Sequence, residues 1–165
     1  MSFQGNKYLS QELPINADFS RAYVVLVSGN VPNICGHALI YFPGGFGHYF
    51  HFTGPEITDH PRYLLGQNDY QRYLKENNKR EFYRVCLSVP NPEGAKEKLR
   101  ALLNKEWTTY LVAHNCVSFI NEILKAGGVS WSFLTYCPTP ALLHKIVWDM
   151  LGSAITKNQG AYCPK

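Results

Sequence analysis

Strand-like segments dominate the first half of the chain. Apolar, β-branched and aromatic residues fill four short runs separated by Gly, Pro and Asn: residues 22–28, 36–42, 48–52 and 81–89. Such runs, bounded by turn residues, are typical of buried or half-buried strands. The connection at 43–47 is short and rich in Gly, so the two strands that it joins are predicted to pair as an antiparallel hairpin.

Helical spacing replaces this pattern in the second half. Apolar residues recur every three or four positions in three segments: 91–103, 115–126 and 140–152. Asn91-Pro92 supplies a cap and a first-turn proline, and Gly127-Gly128 ends the second segment. A further short helix is expected within 68–78. The pattern predicts an α+β fold, one antiparallel sheet with helices packed on it.

Composition limits the class of protein. The 165 residues are 45% hydrophobic and only 17% charged, so a disordered chain is excluded and one domain is expected. Residues 1–20 are polar and are expected to form an irregular lead-in to a single domain over 21–165. The net charge of +4 is mild and spread along the chain, which gives no indication of nucleic-acid binding.

Targeting signals give a second constraint. No apolar run reaches the roughly 18 residues of a membrane span, and the N-terminal segment lacks the apolar stretch of a signal peptide. We therefore expect a soluble protein made in the cytoplasm, and any secretion would use a route that needs no signal peptide.

The number and spacing of the cysteines suggest that the chain has a reactive thiol. The chain has five, an odd number, and none forms a CxxC pair, so a zinc ribbon is excluded. At least one thiol must stay unpaired within the chain. Cys137 and Cys163 are candidates for a disulfide, although the sequence does not establish that they are close.

Cys116 is the strongest candidate for that reactive thiol. It follows Asn115, a good N-cap residue, so it falls in the first turn of a helix with an apolar face. There the positive end of the helix dipole and free backbone N–H groups favour a thiolate, and the same groups suit a developing oxyanion. A small buried cysteine with no chemical role is the alternative.

Histidines on the predicted strands supply candidates for a base. His37 opens the strand after Gly36, where its ring can face a cleft, and His51 is the candidate that orients it. Because strand side chains alternate, His48 and His51 are predicted to lie on opposite faces, which argues against a shared metal. His48 stays open as the alternative third residue.

The order of these residues resembles a known family. A strand with Gly36-His37, a second strand with His51 and a downstream helix with Asn115-Cys116-x-x-Phe119 are similar to the circularly permuted NlpC/P60-like branch of the papain fold. That branch includes the lecithin:retinol acyltransferase-like enzymes, and the similarity spans roughly residues 20–128. The resemblance implies a Cys116–His37–His51 triad, a papain-like fold and an acyl-enzyme mechanism without cofactor or metal.

Two substrate classes are consistent with the resemblance. The first is the amide bonds of bacterial cell-wall peptidoglycan, cut by a cysteine peptidase that acts as an antibacterial effector and has an immunity protein as partner. The second is a lipid ester, cut by a thiol phospholipase or acyltransferase. Its acyl groove would be lined by aromatic residues: Phe42, Phe46, Tyr49, Phe50, Phe52, Trp131, Phe133 and Tyr136. A binding module without catalysis is the non-enzymatic alternative.

Overall fold

A computed structural model describes residues 2–8, 16–28, 36–52, 58–108, 116–130 and 163. Its strands are β1 (Asn6–Lys7), β2 (Arg21–Val27), β3 (His37–Phe42), β4 (His48–His51), β5 (Thr58–Asp59), β6 (Arg62–Leu65), β7 (Glu81–Ser88) and β8 (Trp107–Thr108). Its helices are α1 (Gly66–Glu76), α2 (Pro92–Leu103) and α3 (Cys116–Ala126). This confirms an α+β fold.

Six of the strands form one antiparallel sheet in the order β1-β6-β4-β3-β2-β7. The predicted hairpin is present, because β3 and β4 pair from Ile40↔Phe50 to Phe42↔His48. No pairing between β3 and β4 continues past Ile40 and Phe50 within the described residues. The two strands therefore part at the end that carries His37 and His51.

Helices cover both faces of this sheet. On one face α2 and α3 pack against alternate strand residues such as Val24, Ile40 and Phe50, and on the other α1 packs against Val25 and Leu39. Alternation along each strand accounts for the two sets, since neighbouring side chains point to opposite faces. Both faces bury apolar side chains, which explains the continuous apolar runs in the sequence.

The caps of the helices follow the sequence signals. Asn91 caps α2 by accepting a hydrogen bond from the N–H of Gly94 at 3.2 Å, as the Asn-Pro start predicts. The chain leaves α3 through Gly128, whose φ of +75° lies in the left-handed region that favours glycine. The predicted last helix over 140–152 lies outside the described residues.

Four short strands were not predicted. The segment expected to be an irregular lead-in contains β1, which pairs with β6 and forms one edge of the main sheet. β5 and β8 form a separate two-stranded sheet. β1, β5 and β8 have two residues each and β6 has four, so none gives a periodic apolar pattern that sequence analysis can detect.

Candidate active site

Two histidines join the ends of β3 and β4 where these strands separate. Nε2 of His37 lies 2.8 Å from Nδ1 of His51, which is a hydrogen bond. Both rings lie on the α1 side of the sheet, in contact with the ring of Tyr73, whose centroid is 6.5 Å from that of His37 and 5.0 Å from that of His51. The structure thus brings together two of the three residues proposed from the sequence.

A backbone carbonyl fixes the proton positions of this pair. Nε2 of His51 lies 2.9 Å from the carbonyl oxygen of Gln4, which accepts but cannot donate. Nε2 of His51 is therefore protonated, and in the neutral ring Nδ1 is the acceptor. It follows that Nε2–H of His37 donates to Nδ1 of His51, and that a neutral His37 has its lone pair on Nδ1.

Both rings are kept neutral at physiological pH. Burial, the positive charge of Arg62 and that of Lys79 lower the pKa of His51 to about 4, against the bond to Gln4, which raises it. Burial, the electrostatic interaction with the His51 ring and the charge of Lys79 hold the pKa of His37 well below its usual range. Low pKa values leave His37 unprotonated and able to accept a proton through Nδ1.

Cys116 is the first residue of α3, and its thiol lies at the start of β3. The backbone N–H groups of Cys116 and Val117 in the first helical turn, and that of Ala38 beside His37, form hydrogen bonds that favour the thiolate. Ala38 directly follows His37 in β3, so this bond places the sulfur near the imidazole pair. No hydrogen bond joins the sulfur directly to His37 in the described part of the chain.

Burial outweighs these favourable N–H groups at the thiol. Although Cys116 as a residue is only partly buried, burial is the largest influence and raises the pKa of its thiol, while the three backbone bonds and the charge of Lys79 lower it. The helix start favours the thiolate in the direction expected from the sequence, but the net pKa is raised. The resting thiol is therefore protonated at neutral pH and needs a base.

Lys79 and Tyr73 complete this site, and sequence analysis identified neither. Lys79 follows α1, is half-buried, and donates from Nζ to the carbonyl oxygen of Ser28 at 3.1 Å. The hydroxyl group of Tyr73, a residue 1% exposed, interacts electrostatically with the Cys116 thiol. Basic residues such as Lys79 and Arg80 are common before a strand, and Tyr73 occupies an apolar position of α1. Neither residue therefore indicates a functional site in the sequence.

His48, the alternative third residue, lies apart from the imidazole pair. It is 2% exposed, stacks against Phe50 on the α2–α3 side of the sheet, and its two ring nitrogens have no hydrogen-bond partner among the described residues. Burial lowers its pKa. His48 and His51 thus lie on opposite faces, as strand alternation predicts, and only His51 contacts His37.

Cys163 forms a disulfide with a cysteine other than Cys137, the partner that the sequence suggested. It forms a disulfide with Cys86 of β7, across a separation of 77 residues. Cys137, the partner considered earlier, lies outside the described residues. Among the described cysteines, Cys116 is the free one.

Four of the eight aromatic residues proposed as an acyl groove belong to the core. Of that set, Phe42, Tyr49, Phe50 and Phe52 are buried, whereas Phe46 at the hairpin tip is 81% exposed. The other three members lie outside the described residues. Nothing in the described part of the chain is a helix able to cross a membrane or a cluster of three His, Cys, Asp or Glu residues suited to a metal.

Comparisons with family models, with curated proteins and with solved structures find no match to this chain.

Proposed function

We propose that the chain is a thiol hydrolase with Cys116 as nucleophile, His37 as base and His51 as the residue that orients His37. The proposal is supported above all by the hydrogen-bonded series Gln4 carbonyl–His51–His37. Because both imidazoles are neutral, this series leaves a lone pair on Nδ1 of His37, on a residue adjacent to the strand N–H that binds the sulfur. A histidine pair with a purely structural role would not require a free lone pair on Nδ1 of His37 near the thiol.

In the proposed reaction, Nδ1 of His37 takes the proton of the Cys116 thiol as the sulfur attacks a carbonyl carbon. The N–H groups of Cys116 and Val117 suit the oxyanion that develops. The carbon–nitrogen bond then breaks, the leaving amine takes the proton from His37, and a thioester remains. Water attacks the thioester, His37 removes and returns a proton as before, and the free thiol and a carboxylic acid are formed.

Peptide or amide bonds are the proposed substrates, in keeping with the permuted NlpC/P60-like resemblance. The burial of Phe42, Tyr49, Phe50 and Phe52 weakens the alternative of an acyl groove. We further propose bacterial cell-wall peptidoglycan as the polymer and an antibacterial effector as the biological role, with an immunity protein as partner. These finer proposals rest on the resemblance.

Release of muropeptides from purified peptidoglycan tests this function. The wild-type chain is expected to release them, and Cys116→Ala to release none while keeping the wild-type melting temperature. His37→Ala is expected to lose about 10²–10⁴-fold in rate and His51→Ala less, because an orienting residue contributes only part of the base's effect. Full activity of Cys116→Ala contradicts the mechanism.

A parallel incubation with phosphatidylcholine vesicles separates the two substrate classes. Release of free fatty acid that depends on Cys116, without release of muropeptides, contradicts the amide proposal and favours a lipid ester. The His48→Ala variant is the matched control in both assays, because His48 lies on the other face of β4 and is expected to keep wild-type rates.

A further inference from the structure

Lys79 is an unusual cation because it is half-buried and no carboxylate among the described residues pairs with it. In the described part of the chain its ammonium group has one hydrogen-bond partner, the carbonyl oxygen of Ser28, 3.1 Å from Nζ. Burial lowers the pKa of Lys79, and the charge that acts against this is that of Cys116. An ammonium that is partly withdrawn from water gains from an anionic partner, and the anionic group that acts on Lys79 is the Cys116 thiolate.

The backbone fixes where this ammonium lies. After α1 the chain turns through Asn78, a non-glycine residue with φ of +50°, and the N–H of Lys79 donates to the carbonyl oxygen of Leu74 at 2.8 Å. Nζ is then held at Ser28, the residue that follows Val27 at the end of β2.

Ser28 belongs to the same end of the sheet as the candidate nucleophile. Val27 pairs with His37, and Leu26 pairs with Ala38, whose N–H binds the Cys116 sulfur. The ammonium and the sulfur thus flank the same end of the β2–β3 pair. Their charges interact, and Lys79 also acts on both imidazoles.

Within the part of the chain that the structure describes, the other groups around the sulfur do not supply a positive charge. His37 from β3 and His51 from β4 are neutral, and burial and the charge of Cys116 raise the pKa of Tyr73 from α1, which keeps its hydroxyl protonated. Arg62 from β6 acts on His51. Among the described residues that act on the sulfur itself, Lys79 is the cation.

We propose that the ammonium group of Lys79 is the counter-charge of the Cys116 thiolate, so that this thiolate is stabilised by an ammonium and not by an imidazolium. Lys79 is in this view a positioning residue, which favours the thiolate electrostatically while His37 remains a neutral base. The inference rests on the proposed function for its catalytic meaning. The ionisation of the thiol is nevertheless measurable without any substrate.

Alkylation of Cys116 by iodoacetamide as a function of pH tests the proposal directly. The full chain is labelled between about pH 6 and about pH 10, and the Cys116 peptide is quantified by mass spectrometry, so other cysteines do not interfere. Lys79→Gln keeps a donor for the Ser28 carbonyl but removes the charge. It is expected to slow alkylation at neutral pH on the order of tenfold and to move the midpoint of the profile to higher pH.

Four further variants separate a charge effect from a structural one. Lys79→Arg is expected to restore the wild-type profile, and Lys79→Met to reproduce that of Lys79→Gln. Lys75→Met removes the same charge from an exposed position of α1 and is expected to change nothing. His37→Gln is expected to leave the midpoint in place, because the neutral ring contributes no charge.

Two results would overturn the proposal. One is a wild-type alkylation profile in both Lys79→Gln and Lys79→Met, with folding verified by circular dichroism. The other is a midpoint that shifts in His37→Gln and not in the Lys79 variants, which would assign the counter-charge to an imidazolium. Because alkylation needs no substrate, inactivity towards peptidoglycan would refute the proposed substrate and leave this result unaffected.

Discussion

Acidification should destabilise this protein through its buried imidazoles, and His51 allows the size of the effect to be worked out. The pKa of His51 is about 4 in the folded chain, against 6.5 for a free histidine. That difference corresponds to roughly 3 kcal/mol at 1.36 kcal/mol per unit. Protonation would also place a second hydrogen between Nδ1 of His51 and Nε2–H of His37, where their hydrogen bond now lies.

The sign follows from which state binds the proton. Between pH 6.5 and about 4 the unfolded chain has a protonated His51 and the folded chain does not. Unfolding therefore takes up a proton, and the free energy of unfolding falls as the pH is lowered through this window. Above the window both states are neutral, and below it both are protonated, so His51 adds no further pH dependence there.

Urea unfolding between about pH 7.5 and about pH 4.5 measures this loss. The wild type is expected to lose stability steadily, and His51→Gln to lose about 2–3 kcal/mol less over the same range, whatever its stability at neutral pH. Equal losses in wild type and His51→Gln would refute the reasoning.

Two further substitutions have predicted effects on stability. His48→Phe is expected to raise the free energy of unfolding by about 1–3 kcal/mol, because neither nitrogen of the buried ring is paired with a group in the described part of the chain. Urea unfolding at neutral pH checks this, and a loss of stability would point to overpacking instead. Cys86→Ser is expected to lower the free energy of unfolding by roughly 2–5 kcal/mol, since the disulfide to Cys163 closes a long loop. Unfolding of the wild type with and without reductant should reproduce that loss, and an unchanged midpoint would contradict it.

The sequence predicted the long elements of the fold because their burial imposes a pattern. β2, β3, β4 and β7 were located to within a residue or two, as were α2 and α3, since each has a continuous or periodic apolar face. β1 could not be predicted, because its pairing with β6 is a tertiary contact and its two residues, Asn6 and Lys7, are exposed and polar. The specific papain-like architecture stays a proposal.

The candidate site was predictable where a residue type carries its own chemistry. Cys116 and His37 can be identified as candidates in the sequence, because a thiol at a helix start indicates a reactive cysteine and a histidine at a strand start indicates a base that faces a cleft. Gln4 contributes through its backbone carbonyl, which any residue possesses, and Lys79 through a position that a turn at Asn78 determines. Contributions of this kind depend on the folded path of the chain and leave no pattern in the sequence.

The low pKa values of His37 and His51 have opposite consequences for stability and for chemistry. Burial removes both rings from water. The ring of His51 accepts the hydrogen bond that holds His37 in one tautomer, and the Gln4 carbonyl accepts the bond that holds His51 in one tautomer. The folded chain therefore becomes less stable in acid, but the lone pair on His37 remains available at neutral pH. A conformation in which β1 detaches from β6 would free the Gln4 carbonyl, release the tautomer of His51 and, through it, that of His37. The edge strand β1 is thus expected to influence the tautomer of His37, the proposed base, and substitutions that weaken β1 should lower the proposed activity before they lower stability.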